Sequence, residues 1–353
     1  MNKILFIDRG QLGQLTDTLK YCEYLNKKYS IEYLCFDEKY PYIDLPNVNV
    51  TYVSLVGPKL LRGIRFILKA IGKILKFNGF IFIVYFPGCG IIKKFLFWKK
   101  IHVDIRTLSV AKEKDVRDKE NVQISRDIDS FNTISCISEG VAKQLEFNKK
   151  LQVYILPLGA DIVSDSNKNF QNIKLLYIGT LNNRNIIQTV EGVAMYIKKH
   201  PDRFITYDII GSGEEYEKIQ EYIRLYKLET YIILHGKIPH SLLKPFLDRC
   251  NIGVSYVPIV DYYEFQPPTK TFEYTLSGLY CIATATEANK QIINSENGVL
   301  IDDSPEGFVD GLESMWHIKD KINSTVIRNT MKKYTWSNII KQYLMPIINQ
   351  TEV

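Results

Sequence analysis

The chain has 353 residues, 46% of them apolar and 24% charged, with a formal net charge of +6. That length exceeds what one hydrophobic core usually organises and favours two domains, while the balance of apolar and charged residues excludes a disordered, collagenous or disulfide-scaffold chain. No window supplies the ~20 uninterrupted apolar residues of a spanning helix. The opening MNKILFIDRG reaches charge too soon for a secretory signal, and six scattered cysteines form no metal or disulfide pattern, so a cytoplasmic protein with reduced thiols is expected.

In chain order, short apolar runs predict strands at 4–8, 31–36, 48–53, 80–86, 100–105, 133–138 and 153–159, with helices between most of them, such as 15–26 and 140–147. The run FIFIVYF at 80–86 stops at Pro87-Gly88 and reads as a buried parallel strand, apolar on both faces. A polar stretch at 161–172, DIVSDSNKNFQN, has the composition of a linker. Strands at 174–178, 205–210, 231–234, 252–256, 280–283 and 298–301 follow, alternating with helices at 186–199, 214–226, 240–249 and 269–277, and the tail beyond Ser324 is helical. This alternation implies βαβ units, hence an α/β chain of two doubly wound domains, 1–163 and 164–328, around a cleft, with 329–353 as a terminal helix.

Charge is unevenly placed. Residues 1–165 hold 25 Lys/Arg against 18 Asp/Glu, and no acidic residue occurs from Leu45 to Val103. That interval carries Lys59, Arg62, Arg65, Lys69, Lys73, Lys76, Lys93, Lys94, Lys99 and Lys100 among Leu, Ile, Phe and Trp98. A basic amphipathic surface over 59–100 suits an anionic membrane; the alternative is a solvated helix face with unpaired cations. No nucleic-acid-binding signature accompanies it.

Three turns have the form strand, glycine, helix. The first, DRGQLGQ at 8–14, carries Gly10 and Gly13, but its spacing departs from G-x-G-x-x-G, so no nicotinamide cofactor is expected. The others are YIGTLNNRN at 177–185, with Gly179, Thr180 and Arg184, and IIGSGEEYEKI at 209–219, with Gly211 and Gly213. Glycines there let backbone approach an anion, and Arg184 is placed to pair with phosphate; each turn alone also fits an ordinary βα connection. The segment EFQPPTKTFEY at 264–274 starts a helix after Pro267-Pro268, with Thr269 as a candidate N-cap. Lys270 and Glu273 then share one helical face, suited to phosphate and to ribose hydroxyls, or to a simple exposed salt bridge.

Together these motifs resemble glycosyltransferase family 4, retaining enzymes of the GT-B fold. TISCISEGVAKQL, LPLGAD, YIGTLNNRN, IIGSGEEYEKI, LHGKIPHSLLKPFLDRCNIGVSYVP, PTKTFEYTLSGLYCIAT and KKYTWSNIIKQYL follow that family's order. The resemblance implies two Rossmann-like domains facing a cleft, and a last helix returning to the first domain. It implies Glu273 as ribose ligand, Arg184 and Lys270 as diphosphate ligands in place of a metal, and the backbone at Lys237 and Ile238 against the base. Gly10 to Gly13 would lie against donor phosphate or acceptor. The family's paired glutamates have seven residues between them, whereas Glu264 and Glu273 have eight, so the usual first position falls on Phe265, and Glu264, one residue out of register, is the candidate sugar contact. Thr180 stands where the family often has Arg. Arg106, with Asp104, is nearest to the slot where the family often places a cleft histidine, while His102 is expected to pack.

The function so implied is retaining, metal-independent transfer from a nucleotide-sugar to a glycan, one carried on lipid at the cytoplasmic face of the inner membrane, in bacterial surface polysaccharide assembly. The rivals are a nucleotide-sugar epimerase or phosphorylase of the same fold, and an inactive nucleotide-sugar-binding partner subunit.

Overall fold

The computed structural model describes residues 2–147 and 150–351, so the outermost residues of the first and last expected segments lie outside the described residues. The chain divides into two compact units, Met1–Leu158 with Trp336–Val353, and Gly159–Thr335.

The first unit runs β1 (Lys3–Ile7), α1 (Thr16–Leu25), β2 (Ser30–Asp37), β3 (Val48–Ser54), α2 (Lys59–Lys76), β4 (Phe80–Val84), α3 (Cys89–Phe95), β5 (His102–Ile105), α4 (Lys114–Ile128), β6 (Thr133–Cys136), α5 (Glu139–Gln144) and β7 (Gln152–Ile155). Its seven strands are parallel in the order β3-β2-β1-β4-β5-β6-β7. β4 lies between β1 and β5 with all five residues buried, the environment that its unbroken apolar run demands.

The second unit runs β8 (Ile173–Ile178), α6 (Ile187–Lys199), β9 (Ile205–Ile210), α7 (Tyr216–Leu225), β10 (Ile232–Gly236), α8 (Lys244–Arg249), β11 (Ile252–Ser255), α9 (Thr269–Leu276), β12 (Tyr280–Thr284), α10 (Glu287–Lys290), β13 (Gly298–Ile301), α11 (Pro305–Ile318) and α12 (Ser324–Met331). Its six parallel strands are ordered β10-β9-β8-β11-β12-β13, so strand order reverses between β8 and β11. In doubly wound sheets ligands bind beyond the carboxyl ends of the strands at such a reversal. The core beneath it is built from Leu175, Tyr177, Ile209, Val254 and Ile282, with Val190, Val193, Phe308 and Leu312 from α6 and α11. Full burial of each aliphatic or Phe side chain stabilises by roughly 1.5–3 kcal/mol.

Several local boundaries differ from the sequence expectation. The helix expected at 240–249 is a 3-10 turn, His240–Leu242, followed by α8, because Pro245 cannot continue the hydrogen-bond ladder from an earlier turn. Pro268, not Thr269, is the N-cap of α9, and Thr269 is its first helical residue. The units part after Leu158 and after Thr335 rather than after 163 and 328. Ala160 forms a parallel bridge with Thr335 and its N–H donates to the Tyr334 carbonyl at 3.0 Å, which ties both crossing points into the second unit. From Trp336 onward the tail, with α13 (Trp336–Ile339) and α14 (Met345–Thr351), belongs to the first unit, where Trp336 packs edge-on against Tyr21 with centroids 6.0 Å apart.

Candidate functional site

β8 ends at Ile178, whose N–H donates to the Tyr274 hydroxyl at 2.6 Å, a bond that pins α9 to the end of the central strand. α9 lies so close to β11 that a Cβ at Gly253 would fall 2.3 Å from the Tyr274 ring. This placement carries Lys270 over the face of Tyr177, with Nζ 3.9 Å from the ring centroid. The Tyr177 hydroxyl donates to the Thr180 carbonyl at 2.7 Å, so one ring supports both the cation and the turn. A Cβ at Gly179 would meet Lys270 Nζ at 2.9 Å, and one at Gly211 would meet the Gly179 carbonyl at 1.9 Å. The glycines therefore allow two turns and a lysine to converge. The amides of Gly179 and Gly211 donate to the carbonyls of Ile210 and Gly236, so these two amides serve the turn itself rather than an anion.

Lys270 is only 8% exposed and, among the described residues, has no hydrogen-bond or ion-pair partner at Nζ. The expected alternative, an exposed salt bridge to Glu273, is not what forms. Burial, with the Arg184 charge nearby, pushes the Lys270 pKa down to about 7 against a smaller opposing pull from Glu273. Arg184 stacks on Tyr263 at 4.3 Å, and among the described residues the hydrogen-bond contact of its guanidinium is to the Asn183 carbonyl at 3.5 Å. Its backbone is held from the other side, since Glu215 Oε1 accepts from the N–H groups of Arg184 and Asn185 at 3.1 and 2.9 Å. Thr180 is exposed beside it, accepting the Asn182 N–H at 3.1 Å.

Glu273, one turn after Lys270, is half-buried with Oε1 3.7 Å from His240 Nε2. His240 follows Lys237 and Ile238 in the loop after β10, so that loop lies against the carboxylate. Sequence reasoning singled out neither His240 nor the two tyrosines. The contacts that matter link residues 33, 93 and 79 positions apart, and no local pattern signals them.

Glu264 directly follows Tyr263, the ring on which Arg184 stacks, but its own acceptors are taken by α10. Its Oε2 accepts the Glu287 N–H at 2.8 Å and its backbone carbonyl accepts the Ala288 N–H at 2.7 Å, so it closes the N-terminus of α10. Gly213 packs against Leu181 and Asn182, where a Cβ would come within 2.5 Å of backbone.

The remaining expected residues are in the first unit. The Gly10 N–H donates to Asp8 Oδ1 at 3.0 Å, and Gly13 takes a positive φ of 100° against Ile43. Gln11 bonds the Glu38 N–H and the Tyr40 carbonyl, both at 2.9 Å, closing the loop on itself. Arg106 is buried, 2.5 Å from Asp17, 3.6 Å from Asp104 and 2.8 Å from the Leu156 carbonyl. Burial raises the Asp104 pKa to about 6 despite Arg106, and Asp104 accepts from Ser135 at 2.5 Å. Ser135 in turn meets His102 Nε2 at 2.9 Å. His102 packs among Phe80, Phe82 and Tyr154, and burial pushes its pKa down to about 3, so it is neutral. Arg106 and Asp104 are thus bound into one internal network, and the geometry gives neither a solvent-facing group.

Comparison with known proteins places the second unit. Residues 172–317 match the family described as "Glycosyl transferases group 1". No curated protein sequence matches the chain. Among solved structures, sucrose-phosphate synthase from Thermosynechococcus elongatus aligns with a TM-score of 0.76 at 15% identity, over 99% of each chain. HepE from Anabaena, solved with UDP and glucose, aligns with a TM-score of 0.76 at 12% identity, over 99% of this chain and 100% of that one. The lipopolysaccharide outer core galactosyltransferase WaaB aligns with a TM-score of 0.72 at 15% identity, over 99% of each. Residues 172–317 thus resemble the group 1 glycosyl transferases, and the two α/β units of the chain have the fold of the GT-B glycosyltransferases.

Proposed function

We propose that the protein transfers a sugar from a nucleotide-diphosphate donor to a glycan, with Lys270 and Arg184 receiving the diphosphate and Glu273 the ribose. One observation carries this reading: a buried lysine amine without a carboxylate partner among the described residues, beside a guanidinium that stacks on a ring and has no ion pair among them. Burying an unpaired charge is costly, and a diphosphate is the chemistry that completes two adjacent cations. HepE, solved with UDP and with UDP-glucose, supports the nucleoside-diphosphate class. In this reading the base lies along the backbone at Lys237 and Ile238, beside His240. The leaving diphosphate is stabilised by fixed cations and the N-terminus of α9 rather than by a metal.

The anomeric configuration is retained, the acceptor is a lipid-linked glycan at the cytoplasmic face of the inner membrane, and the product is a bacterial surface polysaccharide. Arg106 and Asp104 form internal scaffold and touch no substrate in this scheme. Gly10 and Gly13 set the shape of the loop after β1. A second reading, an inactive nucleotide-sugar-binding partner, is favoured by Glu264, whose carboxylate caps α10 where the family's first glutamate would meet the sugar.

Thermal-shift titration with nucleotides and nucleotide-sugars tests the site. A ligand at ~100 times its dissociation constant stabilises by ~2.7 kcal/mol. Glu273→Ala removes that shift; its persistence would show the ribose assignment to be wrong. Transfer of labelled sugar to a glycan acceptor, with NMR of the product's anomeric centre, separates an active retaining transferase from the inactive partner.

A further inference from the structure

α2 has two apolar stripes. Phe66, Ala70 and Ile74 face the core, as one amphipathic face should. Leu60, Leu61, Ile64, Leu68 and Leu75 are all exposed, Leu60 by 74% and Leu68 by 63%. At 3.6 residues per turn their stripe is centred about 140° from the core stripe, so it points away from the sheet. A soluble helix has no use for a second apolar stripe.

The end of α3 and the chain that follows it add a second exposed element. Phe95, Phe97 and Trp98 are 67%, 74% and 57% exposed, with the Phe97 and Trp98 rings edge to face at 5.0 Å. These aromatics are held rigidly. Lys93 is buried, and its ammonium donates to the carbonyls of Phe97 and Lys99 at 2.8 and 2.7 Å, closing the loop that displays them. Lys99 donates to the carbonyl of Phe77, the residue capping the end of α2, at 2.9 Å. The two exposed apolar elements are therefore stitched together.

Several cations of the 59–100 interval have internal roles: Lys73 pairs with Glu32 at 2.5 Å, and Arg65 donates to the carbonyls of Ser54 and Val56. Lys59, Lys69, Lys76, Lys94 and Lys100 are exposed and have no ion pair or hydrogen bond among the described residues. Lys69, Lys73 and Lys76 line, with Leu68 and Phe77, an open cavity of about 510 Å³ against β2 and β3.

We infer that the outward stripe of α2 and the Phe95–Trp98 wedge form one surface that seats in the interfacial layer of an anionic lipid bilayer, with Lys93 as the positioning residue that fixes the wedge. Apolar side chains enter the acyl boundary while the lysines meet lipid phosphates, the pairing expected of an interfacial helix. Charge decides against a second copy of the chain. A two-fold interface would set these lysines against their own counterparts, and Glu32, the carboxylate that shares their cavity, is already paired with Lys73. The inference is independent of the donor assignment, because it requires no nucleotide.

Flotation of the full-length protein with vesicles of phosphatidylcholine, alone or mixed with phosphatidylglycerol, tests it. The expected result is binding to anionic vesicles only, weakened by salt. Phe97→Ser with Trp98→Ser reduces binding by about tenfold or more. Lys69→Glu with Lys94→Glu, on the exposed surface, reduces it by about 30-fold or more, since each cation contributes roughly fivefold. Both variants keep the wild-type melting temperature and any nucleotide-induced shift, so a failed donor assignment is read separately. The inference is overturned by a wild type that floats with neither vesicle, by variants that bind as the wild type does, or by a wedge variant that turns a dimer into a monomer while neither form binds vesicles.

Discussion

Lys270 carries its amine to a position 8% exposed, over the Tyr177 ring and without a carboxylate partner among the described residues. Burial lowers its pKa from 10.5 to about 7, and Arg184 lowers it further than Glu273 restores it. Between about pH 7 and 10.5 the unfolded chain holds a proton that the folded chain has released, so this group's contribution to stability rises with pH across that window. A bound diphosphate acts in the opposite sense by favouring the protonated amine. Nucleotide binding at about pH 8 is therefore expected to take up close to one proton, with affinity falling by up to about tenfold per pH unit above about 7. Calorimetry in buffers of different ionisation enthalpy measures the uptake directly. Lys270→Met should abolish it, weaken nucleotide binding, and raise the melting temperature of the free protein by about 2–4 °C per kcal/mol regained. His102 has the opposite character: it is neutral, ringed by aromatics and held by two hydroxyls.

Among elements, the turns after β8 and β9 and the first turn of α9 form one packed cluster. Gly211→Ala would set a methyl 1.9 Å from the Gly179 carbonyl, which only backbone movement relieves. A loss of at least about 2 kcal/mol in urea unfolding is expected, with nucleotide binding reduced because Lys270 and the Gly179 turn move together. Glu264, in the loop between β11 and α9, bonds to α10. Glu264→Ala removes the acceptor for the Glu287 N–H and should cost about 1 kcal/mol in the same assay, a typical loss for a helix cap. If it only caps, nucleotide and nucleotide-sugar affinities remain at wild-type values; a selective loss for the nucleotide-sugar would restore its sugar-contact role. The sequence placed all of these residues near strand ends but had no means of separating a phosphate-side glycine from a packing glycine. That distinction rests on whether the amide is already bonded across the sheet.

For the molecule as a whole, the proposed donor groups all lie within Gly159–Thr335. Saturating nucleotide is expected to slow hydrogen exchange most in β8, in α9 and in the loop after β10, with protection growing as RT ln(1 + [L]/Kd). Uniform protection, or none in α9, would place the ligand elsewhere. The alternation of short apolar runs with amphipathic stretches was enough to specify strands β1 to β13 and their parallel, doubly wound arrangement. Parallel strands buried on both faces must be apolar throughout, and that demand is local and visible. Lys270 and Glu273 were legible as a pair on one helical face for the same reason. Their partners were not: Tyr177 under the lysine, Tyr263 under Arg184, His240 beside Glu273 and the α10 amide on Glu264 all come from remote parts of the chain. Periodicity determined which residues face inward, because it follows from the geometry of a single element. Only tertiary structure decided which buried charges go unpaired and which carboxylates are already taken, because desolvation and hydrogen bonding depend on what the rest of the chain brings alongside.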